Sequence, residues 1–512
     1  MTSGGRVLTV TAVKKDLVSA LEEANKGVGV IRCARQGLSR THVWVSVASA
    51  TFSIQYGYNI YVVYFPTVLL EHFYNITTFE QLTEPSSQLI LIGITIALFP
   101  FGGIFGALMV GYLMDTFGRK GTLMITSVSS SLSAILMSCS NLIHAFGYTM
   151  FARFYTGICA GILSSVIPLY LGEIAPRSLR GAFIMMPHLF TTIGVLLSRI
   201  MAYHHVLGNQ KGWPLLLGII GVIPVIQMFL VPFYPESPGY LLIQKRNEEK
   251  ARQALQKLRD KEDVEDEMEE LRQEDIAEKS EKDMTPFKVL RTESLRWQVI
   301  TVIVMMSGQQ LAGLNAAYYY TEKIYMATNV GIENVPYIST ATTALLCISS
   351  ALAMYLADSA GRRVLILIGF VGCTITCVLL TMTLELQESF TVMKYFSAFF
   401  VNTFLFGHFL GPGPVPFVLV VELFYQSSRA SAYVIAGFLK WFLTFVTGVS
   451  FLQIQNRIGS YSFFIFWPIC IATFYFIFRY VPETKQKTYM DIRRIIAIQA
   501  TRRIEVKERR RK

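Results

Sequence analysis

The feature that most restricts the fold of this chain is a series of about twelve apolar runs spread along its length. A helix needs about 20 residues to cross roughly 30 Å of hydrocarbon, and each run is long enough. The chain has 512 residues, of which 52% are hydrophobic and only 16% are charged. Its mean hydropathy of +0.43 is too high for a soluble protein of this size. We therefore predict an all-α polytopic membrane protein. The predicted spans are residues 43–69, 88–114, 121–141, 147–171, 182–203, 213–233, 299–325, 337–357, 364–384, 395–421, 431–454 and 461–481.

The placement of the basic residues predicts the orientation in the membrane. A net charge of +11 would suggest nucleic acid for a soluble chain, but here Lys and Arg crowd both terminal segments and alternate loops. The first intervening loop, residues 71–88, contains none. Because basic loops stay on the cytoplasmic side, we predict that both termini are cytoplasmic and that nucleic acid is not a partner. The same outer loop contains Asn75 in an N-glycosylation sequon.

Other chemistry is not indicated by the sequence. The first forty residues lack the pattern of a cleavable signal peptide, so the first span is expected to act as the targeting signal. Seven cysteines, lying mostly within spans, suggest neither a disulfide framework nor a metal site. No nucleophile–base pair or metal-ligand cluster stands out. We therefore expect neither a cofactor nor enzymatic activity.

A charged segment divides the membrane part into two halves. Residues 234–298 contain apolar positions at helical spacing between charges, which predicts a cytoplasmic linker with short helices. This linker separates a six-helix bundle at residues 43–233 from a second at 299–481. Residues 1–42 and 482–512 are predicted to be cytoplasmic segments, the latter a basic tail.

The two halves repeat the same charged signals. Asp115, Gly118 and Arg119 follow the second span, and the same pattern follows the eighth span at Asp358. Two further signals, a Glu seven residues before an Arg and a Pro-Glu pair, also recur in the same order about 245 residues apart. Such a recurrence indicates two parallel repeats.

Acidic and basic residues at the inner ends of the helices suggest a gate. They can pair across the two bundles when the inner side is closed and separate when it opens, although each exposed pair is worth only about 0–1 kcal/mol. Topology signals alone would explain the basic residues but not the matched acids. The predicted gating residues are Asp115, Arg119, Arg153, Glu173, Arg180, Glu236, Asp358, Arg362, Arg363, Glu422, Arg429 and Glu483.

Several motifs carry a family resemblance over nearly the whole chain. In order they are DTFGRK, LGEIAPRSLRG, PESP, GQQLAGLNAAYYY, GRR, GPGPVP, VELF and PETK. Together they resemble the facilitative hexose transporters, the sugar porters of the major facilitator superfamily. The resemblance implies two bundles that rock about a central hexose site in the plasma membrane. The segments SLRWQ, GHFLGPGP and QSSR are most similar to the fructose-transporter branch.

The segment SGQQLAGLNAAYYY places polar side chains in the middle of the seventh span. Because an unpartnered polar group facing lipid costs several kcal/mol, Gln309, Gln310 and Asn315 are expected to face protein or a watery cavity. Amides have the donors and the acceptor that sugar hydroxyls need, and the resemblance implies that these positions contact substrate. The alternative is that they only join helices. The three tyrosines at 318–320 either belt the interface or close the cavity.

Further site residues come from the resemblance and from departures from it. The resemblance places Tyr56 and Trp441 in the sugar site. His188 stands where the family usually has a glutamine, and Lys440 where the fructose branch has a histidine. With His408, these two would make the cavity electropositive. Phe417 replaces the tryptophan of the glucose type, and the three prolines of GPGPVP predict a break in the tenth span.

These observations predict a facilitative hexose uniporter of the plasma membrane, favouring fructose. The first span has no acid between Val43 and Leu70, where proton-coupled relatives keep one, so passive exchange is expected. An organic anion such as urate is an alternative substrate, because Lys440 with His188 and His408 would make the cavity electropositive. A transport-deficient sensor or scaffold is another, suggested by Gly239 and Leu346 in place of a family arginine and asparagine. The expected partners are the hexose and the lipid bilayer, and the functional unit is expected to be a monomer.

Overall fold

The computed structural model describes residues 39–62, 85–143, 145–278, 284–328, 330–487, 490–496 and 498. Asn75 of the predicted glycosylation site lies outside them. Ten helical segments in the described residues are long and apolar enough to cross a membrane. One of these, Gly93–Ser138, contains two spans, because the helix is interrupted at Gly118 (φ 78°, ψ −177°). The first span is not among the ten, since Thr51 divides it into Arg40–Ala50 and Phe52–Tyr61. The predicted twelve-helix fold is therefore confirmed.

The remaining membrane helices follow in chain order, six spans before the linker and six after it. The second and third spans share the helix Pro85–Ser138. The later spans are Phe146–Ile174, Arg180–Met201, Trp213–Gly218 continued by Val222–Leu230, Arg296–Leu311 continued by Leu314–Ala327, Val335–Ser359, Arg362–Leu386, Met393–Leu410 continued by Val415–Leu423, Gln426–Ile458 and Trp467–Tyr480.

Three short helices form the linker. Glu248–Arg259, Glu265–Ala277 and Pro286–Arg291 lie at one end of the bundles, which we call the linker end. Asn247 caps the first helix by accepting the backbone N–H of Lys250. Arg259 at its end donates to the carbonyl of Ile174 at 3.1 Å. The linker is thereby attached to the end of the fourth span.

Small residues let the spans of the first bundle pack closely. A Cβ on Gly157 of the fourth span would lie 2.1 Å from the carbonyl oxygen of Phe99 in the second span. Such close backbone approach is typical of membrane helices, which associate by packing because lipid is as apolar as the side chains. The two bundles meet where the second span packs on the eleventh and the fifth packs on the eighth.

Two spans are broken near their middle. The seventh span stops at Leu311 and restarts at Leu314, because Gly313 adopts a left-handed conformation (φ 98°) that favours glycine. Gly308, the other glycine of this segment, stays within the helix. The tenth span stops at Leu410 and restarts at Val415, with the predicted break at residues 411–414. Both breaks lie against the space between the bundles.

Candidate substrate cavity and gates

A cavity of about 490 Å³ lies between the two bundles. This volume falls within the range of small-molecule pockets. All eight side chains that the sequence singled out for substrate binding line it. The first bundle contributes Tyr56 and His188; the second contributes Gln309, Gln310, Asn315, His408, Lys440 and Trp441.

The amides of the seventh span both join helices and line the cavity. Gln309 donates to the carbonyl of Gly413, and Gln310 donates to the side-chain oxygen of Gln309 at 3.4 Å. Thr444 of the eleventh span donates to Gln310 at 3.0 Å. Asn315 donates to the hydroxyl of Thr447 in the same span at 2.6 Å. The structure therefore shows these amides joining helices, and their contact with a substrate stays a prediction.

The break in the tenth span exposes backbone to this network. Its Gly413 carbonyl accepts from Gln309, as expected where irregular backbone lines a cavity. The Nε2 atom of His408 lies 2.9 Å from the backbone oxygen of Gln309. Among the described residues, the Nδ1 atom of His408 and the Nε2 atom of His188 are buried without a hydrogen-bond partner. These two ring nitrogens are polar positions that a ligand hydroxyl would satisfy.

Trp441 connects the two bundles at the cavity wall. Its indole N–H donates to the hydroxyl of Ser164 in the fourth span at 3.1 Å. Its ring makes edge-to-face contacts with Tyr56 and Phe99, both with centroids 5.6 Å away. A Cβ on Gly103 would lie 2.3 Å from the same ring. The second span therefore needs glycine there for the indole to reach its position.

Lys440 lies half-buried on the same wall. Its Nζ atom is 4.8 Å from the ring centroid of Tyr56, 5.0 Å from Phe417 and 5.4 Å from Trp441. Across the described parts of the chain, Lys440 forms no salt bridge with an acid. The sequence left open whether Lys440 faces water, pairs with an acid or is deprotonated. In the structure its side chain faces the cavity. Snorkelling to an interface does not describe it.

The end away from the linker is closed by lighter contacts between the bundles. Tyr61 and Tyr318 lie 4.9 Å apart between ring centroids, and Tyr318 lines the cavity. Tyr203 donates to the hydroxyl of Thr340 at 2.7 Å. Arg199 and Glu322 lie 3.8 Å apart. Tyr318 therefore has the position of a cavity-closing residue; the side chains of residues 319 and 320 are not among those described.

The sequence predicts charge pairs that join the two bundles at the linker end. The strongest pairs in the structure instead lie within a single bundle. Arg119 donates two hydrogen bonds of 2.9 Å to Glu173. In the other half, Arg362 lies 2.8 Å from Glu422. All four side chains are almost fully buried. Within a bundle the pairs need not separate when the two bundles move, so they fix the helix ends of each half.

The Pro-Glu signals complete the same arrangement in both halves. Glu236 accepts the backbone N–H of Arg119 at 3.1 Å and that of Lys120 at 3.2 Å. Glu483 accepts the backbone N–H of both Arg362 and Arg363 at 3.0 Å. Each carboxylate therefore caps the helix that begins after a positive-φ glycine, where free N–H groups favour negative charge.

Fewer contacts join the bundles at the linker end. Asp358 accepts the backbone N–H groups of Gly181 at 3.1 Å and Ala182 at 2.8 Å, at the start of the fifth span. Gln426 donates to Glu173 at 2.8 Å. Arg429 lies 3.9 Å from Glu173. These bonds must break if the linker end is to open.

The linker adds acids that the sequence did not point to. Glu274 accepts from the backbone N–H of Gln426 and from Arg429, both at 3.1 Å. Burial raises the pKa of Glu274, while Arg429 opposes the shift. Glu274 and Gln426 were missed because a linker acid looks like any solvated helix residue and a glutamine after a break carries no charge signal.

Four predicted gating residues have other positions. Arg153 lies toward the opposite end of the fourth span, where it donates to the carbonyl of Asn59 at 3.0 Å, so its assignment to the inner gate is wrong. Arg363 donates to the carbonyl of Phe478 at 2.7 Å within its own bundle. The backbone oxygen of Asp115 accepts from Tyr240. Arg180 lines a second cavity of about 430 Å³ under the linker.

The two departures behind the sensor hypothesis have clear positions. Gly239 also lines the cavity under the linker, and a Cβ there would lie 3.0 Å from the side chain of Gln426. Any larger side chain at this position would therefore have to displace the side chain of Gln426. Leu346 is fully buried in the core of the second bundle and does not line the central cavity. Leucine in place of the family's asparagine therefore adds apolar packing in the core and does not change the cavity wall.

Two six-helix bundles around a central cavity that carries amide, imidazole and ammonium groups define a membrane transporter of the major facilitator superfamily. The sequence profile described as "Sugar (and other) transporter" matches residues 44–496. The chain belongs to this sugar transporter family, and it is a transporter rather than an enzyme.

Relatives and solved structures agree with this assignment. The chain is 44% identical over 452 residues to human solute carrier family 2, facilitated glucose transporter member 5, covering 88% of this chain and 90% of that protein. It is 39% identical to human member 7, covering 91% and 92%. The fold is similar to the proton:xylose symporter XylE bound to 6-bromo-6-deoxy-D-glucose, with a TM-score of 0.78, 20% identity and coverage of 89% and 98%. With the inward-open conformation of XylE from E. coli the TM-score is 0.65, at 20% identity and coverage of 88% and 99%.

Proposed function

We propose that this chain carries a hexose, with fructose preferred, down its gradient across the plasma membrane by alternating access. The observation that carries the proposal is the central cavity, in which amides from a broken seventh span face side chains from the first bundle. Amides and unpartnered imidazole nitrogens suit hydroxyl groups that both donate and accept. Relatives named as facilitated glucose transporters support a hexose as the substrate class.

The contacts at the linker end support a conformation closed on that side. We take the linker end as cytoplasmic, with both termini on that side and Asn75 glycosylated outside. Asp358, Gln426 and Glu173 then form the inner gate between the bundles. The pairs Arg119–Glu173 and Arg362–Glu422 keep each half rigid as it rocks. A single chain contains a complete cavity, which supports a monomeric functional unit.

The absence of an acid in the first span supports uniport rather than proton coupling. Residues 43–70 contain no Asp or Glu, so the cavity has no titrating carboxylate on that helix. Sugar would move only down its own gradient.

Purified protein in liposomes tests this function with labelled fructose and glucose. We expect saturable fructose uptake and counterflow that are unaffected by a proton gradient. Protein-free liposomes and the double variant Gln309→Ala/Gln310→Ala serve as controls. Concentrative uptake driven by protons would contradict uniport. No uptake of either hexose would contradict transport and favour the sensor hypothesis.

A further inference from the structure

Lys440 is the one cationic side chain among the described lining residues of the central cavity. Three aromatic faces surround its Nζ atom at 4.8, 5.0 and 5.4 Å. Aromatic faces carry partial negative charge and attract a cation. They do not replace the directed hydrogen bonds that an ammonium donates, and it can donate three.

Among the described residues, no acidic side chain forms an ion pair with this cation. The lining residues that the structure describes include no Asp or Glu. A cation held away from bulk water without a counter-charge is costly. An anionic oxygen entering the cavity would therefore gain a charge-assisted hydrogen bond that a neutral hydroxyl cannot match.

The rest of the cavity is suited to hydroxyl groups. The unpartnered ring nitrogens of His188 and His408 and the amides of Gln310 and Asn315 are neutral donors and acceptors. A ligand that satisfies both regions has several hydroxyls and one carboxylate. We propose that the cavity binds sugar acids, with the carboxylate on Lys440, more tightly than the corresponding neutral sugars. This inference rests on the proposed function, since it assigns the substrate class of the same cavity.

D-Glucuronate and D-glucuronamide form a matched pair of probes, because they share ring and hydroxyls and differ in the charge of one group. Each is tested as an inhibitor of labelled fructose uptake into liposomes and, independently, as a ligand in thermal-shift titrations of the purified protein. We expect glucuronate to act at about tenfold lower concentration than glucuronamide, since charge-assisted hydrogen bonds are roughly twice as strong as neutral ones.

Substitutions of Lys440 test whether the preference for glucuronate over glucuronamide depends on this side chain. Lys440→Met should bring the two probes to equal potency, and Lys440→Arg should keep the preference. Lys323→Met, which removes an exposed lysine from the seventh span, should leave it unchanged. Should Lys440→Met fail to fold, Lys440→Gln supplies a neutral polar replacement for the same comparison.

Equal potency of the two probes on the unchanged protein would overturn the inference. So would a preference for glucuronate that survives in Lys440→Met. The binding titration separates this inference from the proposed function. Glucuronate binding that depends on Lys440, without any fructose uptake, would support the sugar-acid inference and contradict the proposed hexose transport. Fructose uptake with equal potency of the two probes would support hexose transport and contradict the sugar-acid inference.

Discussion

At the scale of single residues, the polar side chains of the seventh span serve two purposes at once. Gln310 and Asn315 face the cavity while bonding to Thr444 and Thr447 of the eleventh span. An amide has three hydrogen-bonding positions or more, so one can hold a neighbouring helix while others meet a ligand. In the proposed function, ligand binding and helix packing would therefore depend on the same side chains.

Replacing Gln310 with alanine should weaken binding of the transported hexose. A net loss of about 1 kcal/mol for one hydrogen bond corresponds to a roughly fivefold higher KM, with kcat changed less. Uptake kinetics in liposomes measure this effect. Gln298→Ala is the matched control, since Gln298 lies about three turns nearer the linker on the same helix and does not line the cavity. A similar KM in both variants would contradict the assignment of Gln310.

The contact between Gly103 and Trp441 gives a second residue-scale prediction. In Gly103→Ala the new methyl group would lie 2.3 Å from the indole ring, so Trp441 must move and lose its bond to Ser164. We expect at least a tenfold loss of uptake and a melting temperature lowered by several degrees, since overpacking costs about 1–3 kcal/mol. Gly147→Ala, where a Cβ meets nothing within 4 Å, should behave as the unchanged protein. Normal uptake by Gly103→Ala would show that the indole position is not required.

At the scale of elements, the broken helices and the linker decide what can move. The seventh and tenth spans are each interrupted beside the cavity, so their two halves can change angle with little loss of helical hydrogen bonding. The linker helix Glu265–Ala277 contacts the start of the eleventh span through Glu274. Movement of the second bundle away from the first therefore requires the linker to release this contact.

Release of the linker should depend on pH. Burial raises the pKa of Glu274 above its ordinary value of 4.5 when the linker is docked, and exposure returns it toward that value. Protonation of Glu274 thus favours the docked linker. The free energy that it contributes to docking is complete below about pH 4.5 and is lost as the pH rises through the raised pKa. Hydrogen exchange of residues 265–277, corrected for intrinsic rates, should show more protection at pH 5 than at pH 7.5.

The matched variants locate this dependence. Glu274→Gln, which mimics the protonated carboxyl, should exchange equally at both pH values. Glu265→Gln, at an exposed position on the same helix, should keep the dependence of the unchanged protein. Stronger protection at the higher pH in the unchanged protein would mean that the pair with Arg429 outweighs burial.

At the scale of the whole molecule, the two ends of the cavity are closed by different kinds of contact. At the linker end, buried carboxylates, backbone N–H groups and an arginine join the bundles. At the opposite end, two pairs of tyrosine rings, one hydroxyl pair and one long ion pair do so among the described residues. Since hydrogen bonds to charged groups are worth more than neutral ones, the linker end is the more firmly closed.

Weakening the bond between Asp358 and the fifth span should open the linker end more often. Asp358→Asn keeps the shape but removes the charge that two backbone N–H groups share. A loss of about 1.5 kcal/mol would raise the open fraction roughly tenfold. A cysteine introduced at Ser428, which is fully buried in the closed conformation, reports this by its rate of maleimide labelling.

The same change at an exposed position is the control for this experiment. Asp260→Asn, in the linker at a left-handed residue that asparagine also adopts, should not alter labelling at residue 428. Unchanged labelling in Asp358→Asn would mean that this carboxylate does not hold the bundles together.

Sequence patterns were sufficient for the fold and for the residues around the cavity. Apolar length predicted the spans, and polar residues within them predicted the cavity wall, because hydrocarbon leaves polar groups few other places. The break at GPGPVP was predicted because proline has no backbone N–H to donate to a helical hydrogen bond. The spans, the break and the amides of the seventh span follow from local composition in a fixed solvent, whereas Tyr56, His188, Lys440 and Trp441 were assigned from the family resemblance.

The pairing of charges was decided only by the tertiary structure. Arg119, Glu173, Arg362 and Glu422 were correctly grouped as repeated signals, but their shortest ion pairs lie within a bundle. Glu173 also contacts Gln426 and Arg429 of the other bundle, and Arg153 lies at the other end. The three rings around Lys440 come from three different spans. The sequence by itself determined which residues must avoid lipid, because that follows from each span alone; which residues they contact depends on how the spans turn and pack against one another, and local composition does not specify that.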